Sequence, residues 1–371
     1  MSTILLRSAM AAILLLGSGL VHAQDEAQEP LDAAALIADG AFYLERGDCA
    51  LAQFFYQEAL RSEPENADAL VGKGRALACQ GAYGTAIEAY QAALEADPNH
   101  LEAHVHLAIT YQNQYQSDPG TYAGRLADAL DTIQRAERIA SDDARVQNTK
   151  GIVLYQLGDL QQARTTMELA ATLSSGADSG LSNQERSTVQ VNLGRVYRDL
   201  EELELAQQSF RRAVVLDPAS PTAHNNLGNV AFRLGDCATA EYELSQAVNL
   251  DPTSLSAASQ LGITLFECGN VADAQTRLEA AVQMDGAVFV PPLFTYLARA
   301  YLEAGRVDDA VRRAQQGALL PPESAEAYYW LGRAYQARGG ANDAANARQA
   351  YERALEIDPN YGDAQEALGG L

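Results

Sequence analysis

The chain has 371 residues, with 26 Lys and Arg against 49 Asp and Glu, and a formal net charge of −23. A surface this acidic repels nucleic acid and anionic lipid, which are held by Lys and Arg that neutralise phosphates; nucleic acid is therefore not an expected partner. The charge asks for nothing more specific than solubility, and an acidic face that meets basic partners is the alternative reading.

In chain order, residues 1–23 read as an export signal. Arg7 gives the positive start, Ala9–Val21 is apolar apart from Gly17-Ser18-Gly19, and Val21-His22-Ala23 suits cleavage before Gln24. The apolar run is shorter than the ~20 residues of a membrane span, and no later stretch is long enough. No Cys follows it, so a lipid anchor is not indicated. The mature chain, exported to the periplasm or cell envelope, is expected to carry no span. It opens with a polar leader, 24–32. Loss of the signal removes one charge, Arg7, and takes −23 to −24.

From residue 33 onward, short helices are expected in pairs. The units are 33–66, 67–100, 101–143, 144–177, 187–220, 221–254, 255–288, 291–324 and 325–361, and a short closing helix lies within 362–371. Unit 221–254 shows the pattern best. Its first helix runs from about Thr222 to Leu234 and ends at Gly235; its second runs from about Ala238 to Leu250 and is stopped by Asp251-Pro252. Leu227, Gly228 and Ala231 share one face, and Ala240, Leu244 and Ala247 share another. Gly228 and Ala240 are small enough for two backbones to come close. Extra residues are expected between the helices of the third unit, within Asn113–Gly124, as a polar insert at 178–186, and near Gly339-Gly340.

The units keep one phase. Position eight is small (Gly40, Gly74, Ala108, Gly151, Gly194, Gly228, Gly262, Ala298 and Gly332), and position eleven is often Tyr, as at Tyr43, Tyr111, Tyr197, Tyr301 and Tyr335. Position twenty is Ala in all nine, from Ala52 to Ala347, and Pro closes many units, as at Pro64, Pro98, Pro218, Pro252, Pro322 and Pro359. This pattern resembles the tetratricopeptide repeat. Two or three globular domains would be the default at this length, but the resemblance implies one all-α, right-handed α-solenoid of about nine helix-turn-helix repeats, each unit packed on its neighbours.

The same resemblance places the cysteines. Cys49 and Cys237 stand at the start of a second helix, and Cys79 and Cys268 at the end of the next unit's first helix. In a tetratricopeptide stack those ends meet. Outside the cytoplasm, where disulfides persist, the bridges implied are Cys49–Cys79 and Cys237–Cys268. The alternative is four buried thiols packed as small apolar groups. With no Cys-x-x-Cys pair, zinc is not expected.

No catalytic signature is present. Val71-Gly72-Lys73-Gly74 lacks phosphate-loop spacing. His104 and His224 hold a packing position of the repeat, and no acid and base pair stands out among the many carboxylates. No enzyme, metal site or cofactor is expected. What remains is the groove, which in the resembling family is lined by first helices. There Asn192, Arg195, Arg198, Asn225, Asn226, Asn229 and Arg233 offer amides for an extended backbone and guanidinium groups for carboxylates. Ile152, Tyr155, Phe232, Ile263 and Phe266 flank them. A second patch comprises Arg299, Tyr329, Trp330 and Arg333. No Lys stands at position five, so the family's carboxylate clamp is not reproduced. The alternative is that these Asn and Arg bond to neighbouring helices. The expected function is a non-enzymatic scaffold that binds a peptide segment of another protein, with a structural role in an envelope secretion or polysaccharide-export complex as the alternative. The oligomeric state is left open.

Overall fold

A computed structural model describes residues 32–176 and 179–371. The predicted signal, 1–23, and the leader as far as residue 31 lie outside the described residues. Among the described residues are nineteen α-helices, one short 3-10 turn and no strand. No helix among them is long and apolar enough to cross a membrane.

The chain forms two compact units, which meet in sequence at His100 and Leu101. The first holds α1 (Ala33–Glu45), α2 (Cys49–Ser62), α3 (Ala67–Cys79) and α4 (Tyr83–Ala96). The second begins with α5 (Leu101–Ser117), α6 (Arg125–Ile139), α7 (Ala144–Gln156), α8 (Leu160–Ser175), α9 (Asn183–Asp199) and α10 (Leu203–Leu216). It continues with α11 (Pro221–Arg233), α12 (Cys237–Leu250), α13 (Leu255–Glu267) and α14 (Val271–Ala281). It ends with α15 (Pro291–Glu303), α16 (Val307–Ala318), α17 (Ala325–Arg338), α18 (Asp343–Ile357) and α19 (Gly362–Gly369). Within each unit every helix packs on the next, and each first helix also touches the first helix of the following pair. This is an all-α solenoid of stacked helix pairs.

The repeat phase explains the packing. The alanines at position twenty, among them Ala52, Ala129, Ala206, Ala274 and Ala347, have no exposed surface. The small residue at position eight faces the second helix. A Cβ on Gly228 would lie 2.7 Å from Leu244 Cγ and 3.1 Å from the Leu244 backbone nitrogen, so only glycine lets α11 and α12 close to this distance. Helix starts are set locally. Asp48, Asn66, Asp143, Asp159, Ser220, Asp236 and Ser254 each accept a hydrogen bond from a backbone N–H of the first turn. Within many pairs the turn contains a left-handed glycine, such as Gly235 at φ 79°.

Two inserts differ from expectation. The extra residues of the third unit do not all form a loop. α5 runs for 17 residues, because nothing between Asn113 and Ser117 breaks a helix before Pro119. The polar insert at 178–186 likewise ends as helix. Ser182 and Glu185 form a reciprocal capping box, so α9 begins at Asn183 and carries Arg186 on an added first turn. In the seventh unit, which lacks the closing proline, α14 is 11 residues long and is followed by left-handed Gly286 and a 3-10 turn, Ala287–Phe289.

Candidate functional site

The sequence-derived groove residues lie on α9 and α11, beside α7, all in the second unit. They occupy one register on successive first helices, so their side chains meet across helix boundaries. Asn192 Nδ2 donates to Asn148 Oδ1 at 3.0 Å, which ties α9 to α7. Arg198 Nη1 donates to Asn226 Oδ1 at 3.4 Å, which ties α9 to α11. Asn226 Nδ2 also donates to the Thr222 carbonyl at 2.8 Å, and Asn229 Nδ2 to the Asn225 carbonyl at 2.9 Å. Asn192 and Asn226 are each only 9% exposed. Their amides therefore hold helices together, and the solvent-facing chemistry falls to the residues around them.

Those residues are Arg195, Arg233, Asn225 and Asn229. Arg195 is exposed, makes no ion pair among the described residues, and rests on the Tyr155 ring 5.2 Å from its centroid. Asn225 Oδ1 is buried and lacks a hydrogen-bond partner. Arg233 reaches Glu201. Beside them Tyr155 OH donates to Asp199 Oδ2 at 2.5 Å, and Arg198 Nε donates to Asp199 Oδ1 at 2.8 Å. Burial pushes the Asp199 carboxyl up, but the hydrogen bonds from Arg198 and Tyr155 outweigh it and hold the group below the ordinary carboxylate value. Burial and the Asp199 partner both push Tyr155 up. Asp199 is thus a fixed negative charge, and Tyr155 a neutral donor.

Glu201 was not singled out from the sequence. It holds a turn position at φ 61°, the one non-glycine at positive φ among the described residues, where neighbouring pairs have Gly158, Gly235 and Gly269. A left-handed non-glycine costs roughly 1–2 kcal/mol, and here its carboxylate reaches Arg233 of the next first helix. The one sequence signal was a Glu where the repeat phase has Gly.

The second patch is packed around Arg299, while Arg333 remains exposed. Arg299 lies within 4.6 Å, 4.5 Å and 4.9 Å of the Phe266, Tyr296 and Trp330 ring centroids, and pairs with Glu267 at 3.0 Å and Glu326 at 3.7 Å. Arg333 donates to Tyr329 OH at 2.8 Å. Phe266, expected to flank the groove, is 7% exposed and belongs to the core. Ile152, Tyr155, Phe232 and Ile263 are half-buried.

The structure joins Cys49 to Cys79 and Cys237 to Cys268, with Cα–Cα distances of 6.0 and 5.9 Å. Each bridge links a second helix to the following first helix. His224 is buried between Glu243 Oε2 at 2.5 Å and the Pro218 carbonyl at 3.1 Å, a packing position; His104 is buried too. Among the described residues no group of three or more His, Cys, Asp or Glu is placed to hold a metal ion.

A family model described as tetratricopeptide repeat matches residues 36–100, 122–178 and 296–362, just over half the chain, and a second, described as TPR repeat, matches 194–235. Among solved structures the chain is similar to one from the APC/C hetero-tetramer Cut9-Hcn1, at 15% identity and a TM-score of 0.57, covering 99% of this chain and 81% of that one. It is similar to the human IFIT1 dimer with m7Gppp-AAAA, at 17% identity and a TM-score of 0.51, covering 86% and 80%. It is also similar to a thermophilic TPR protein of Thermus thermophilus, at 19% identity and a TM-score of 0.47, covering 54% and 99%. No curated protein matches the chain. The phased helix pairs and the matched repeats lead to one assignment: the chain belongs to the tetratricopeptide repeat family.

Proposed function

We propose that the protein is an exported, non-enzymatic interaction scaffold of the cell envelope, and that it holds an extended segment of a partner protein against α7, α9 and α11. The observation that carries this reading is Arg195. It is exposed, makes no close ion pair among the described residues, and rests against the Tyr155 ring. A guanidinium fixed this way is ready to take a carboxylate or a backbone carbonyl without losing much side-chain freedom. Asp199 beside it supplies a fixed negative charge for a donor. Export is supported by the signal-like residues 1–23 and by two disulfides, which persist outside the cytoplasm.

A photo-crosslinking residue placed at Asn229 in cells should trap one partner, and the same residue at exposed Tyr242 should not. The trapped chain should begin at Gln24. With the crosslinker at Asn229, Arg195→Ala should cut the adduct at least about tenfold, the loss of roughly one charge-assisted hydrogen bond. Equal trapping at Tyr242, or an adduct unchanged by Arg195→Ala, would move the function to another face of the molecule.

A further inference from the structure

α9 has a second stripe. Arg186, Gln190, Leu193 and Tyr197 follow at helical spacing, away from Asn192, Arg195 and Arg198. With α8 and α10 this stripe lines a broadly open cavity of about 740 Å³, a volume within the range of small-molecule sites. Three guanidinium groups line it: Arg186, Arg211 and Arg212. None of the three makes an ion pair among the described residues. In the same unit Arg145, Arg164, Arg198, Arg306 and Arg338 are all paired with carboxylates. In a chain of charge −23, three such groups gathered on one cavity are a local reversal of sign.

Among the described residues, two polar atoms there lack partners. Arg186 donates through Nη2 to the Gly176 carbonyl at 3.2 Å and to Ser179 Oγ at 3.0 Å, but its Nε is buried and makes no hydrogen bond. Gln190 is 7% exposed, and its Oε1 is likewise unpartnered. The open donor, Arg186 Nε, is one that an anionic oxygen can meet, whereas the open acceptor, Gln190 Oε1, calls for an O–H or N–H donor such as water. The carboxylate in the lining, Glu168, is already engaged: Arg164 Nε donates to it at 2.9 Å and Tyr197 OH at 2.8 Å. Leu193, Val215 and Leu216 give the cavity an apolar side, and Val215 is 79% exposed. Arg186 exists at this place because the insert adds a turn to the start of α9.

We propose that this cavity binds a small organic anion, a carboxylate or phosphate carried on a short apolar body. The three arginines take the anionic head, and Leu193, Val215 and Leu216 take the body. The site is separate from the groove on α7, α9 and α11, so either can fail without the other.

Calorimetric titration of the full mature protein with octanoate, inorganic phosphate and octanol tests it. Octanoate should bind one to one. Its affinity should fall about tenfold or more in Arg211→Ala, Arg212→Ala and in Arg186→Gln, the size of a lost charge-assisted hydrogen bond, and should not change in Arg277→Ala, an exposed arginine on α14. Matching circular dichroism melts keep the comparison to folded proteins. Phosphate that binds as tightly as octanoate, with the same dependence on arginine, supports the anion site and names the free anion as its source. Octanol that binds as well as octanoate, an affinity indifferent to the arginine changes, or no binding by any of the three overturns the proposal. Trapping at Asn229 should be the same in Arg211→Ala, Arg212→Ala.

Discussion

Asp343 shows how one side chain closes a turn. Its carboxylate accepts from Arg338 at 2.9 and 2.7 Å and from the Gly340 N–H at 2.7 Å, across the left-handed Gly339. These bonds, the Arg338 contact first, bring the carboxyl from an ordinary 3.8 down to about 2. A folded-state pKa below the unfolded one stabilises the fold above the unfolded value, and that stability is lost as pH falls through the folded value. Thermal melts should therefore show a loss between about pH 4 and about pH 2 that is smaller in Asp343→Asn, which should also melt lower at neutral pH. A variant with the same acid profile as the parent would remove the assignment. Residues set by the period were legible in the sequence: the alanines at position twenty and Gly228 could be named because contact within a pair repeats every 34 residues. Partners chosen by rotamer were not. Asn192 and Asn226 look like free groove amides in the sequence, yet both are bound to neighbours, and Arg299 looks like a surface cation but is enclosed by three rings.

At the scale of elements, helix ends were legible wherever a cap, a glycine or a proline marks them, as around Pro221–Arg233 and Cys237–Leu250. The inserts misled, because extra length between repeats suggests loop, whereas α5 and α9 simply lengthen. The Ser182 and Glu185 box was the available signal for α9. The cysteines could be paired because the repeat brings a helix start against a helix end. Each bridge closes a loop of 30 or 31 residues, worth about 3–4 kcal/mol on the chain-entropy model. Cys237→Ser, Cys268→Ser should lower the unfolding midpoint accordingly. Intact mass should rise by four hydrogens when the protein isolated from cells without reductant is then reduced. An unchanged mass would mean free thiols in the cell.

At the scale of the whole molecule, charge decides what stays away. The similarity to human IFIT1, at 17% identity, is one of fold. A chain at −23 with 26 basic residues should not gather phosphates along a strand. The fluorescence anisotropy of a labelled capped RNA should stay flat up to about 100 µM protein at ~0.15 M salt, weaker than ordinary non-specific binding. Binding that fades steeply with added salt would show that the local arginines override the overall field.

The two bridges have a mechanical consequence. Thirty residues drawn straight reach about 100 Å, and a covalent link between Cys49 and Cys79, or between Cys237 and Cys268, withholds that length from any pull along the backbone. A protein stretched between a moving partner and a fixed one would give way elsewhere first, and two short spans of it would keep their register under load.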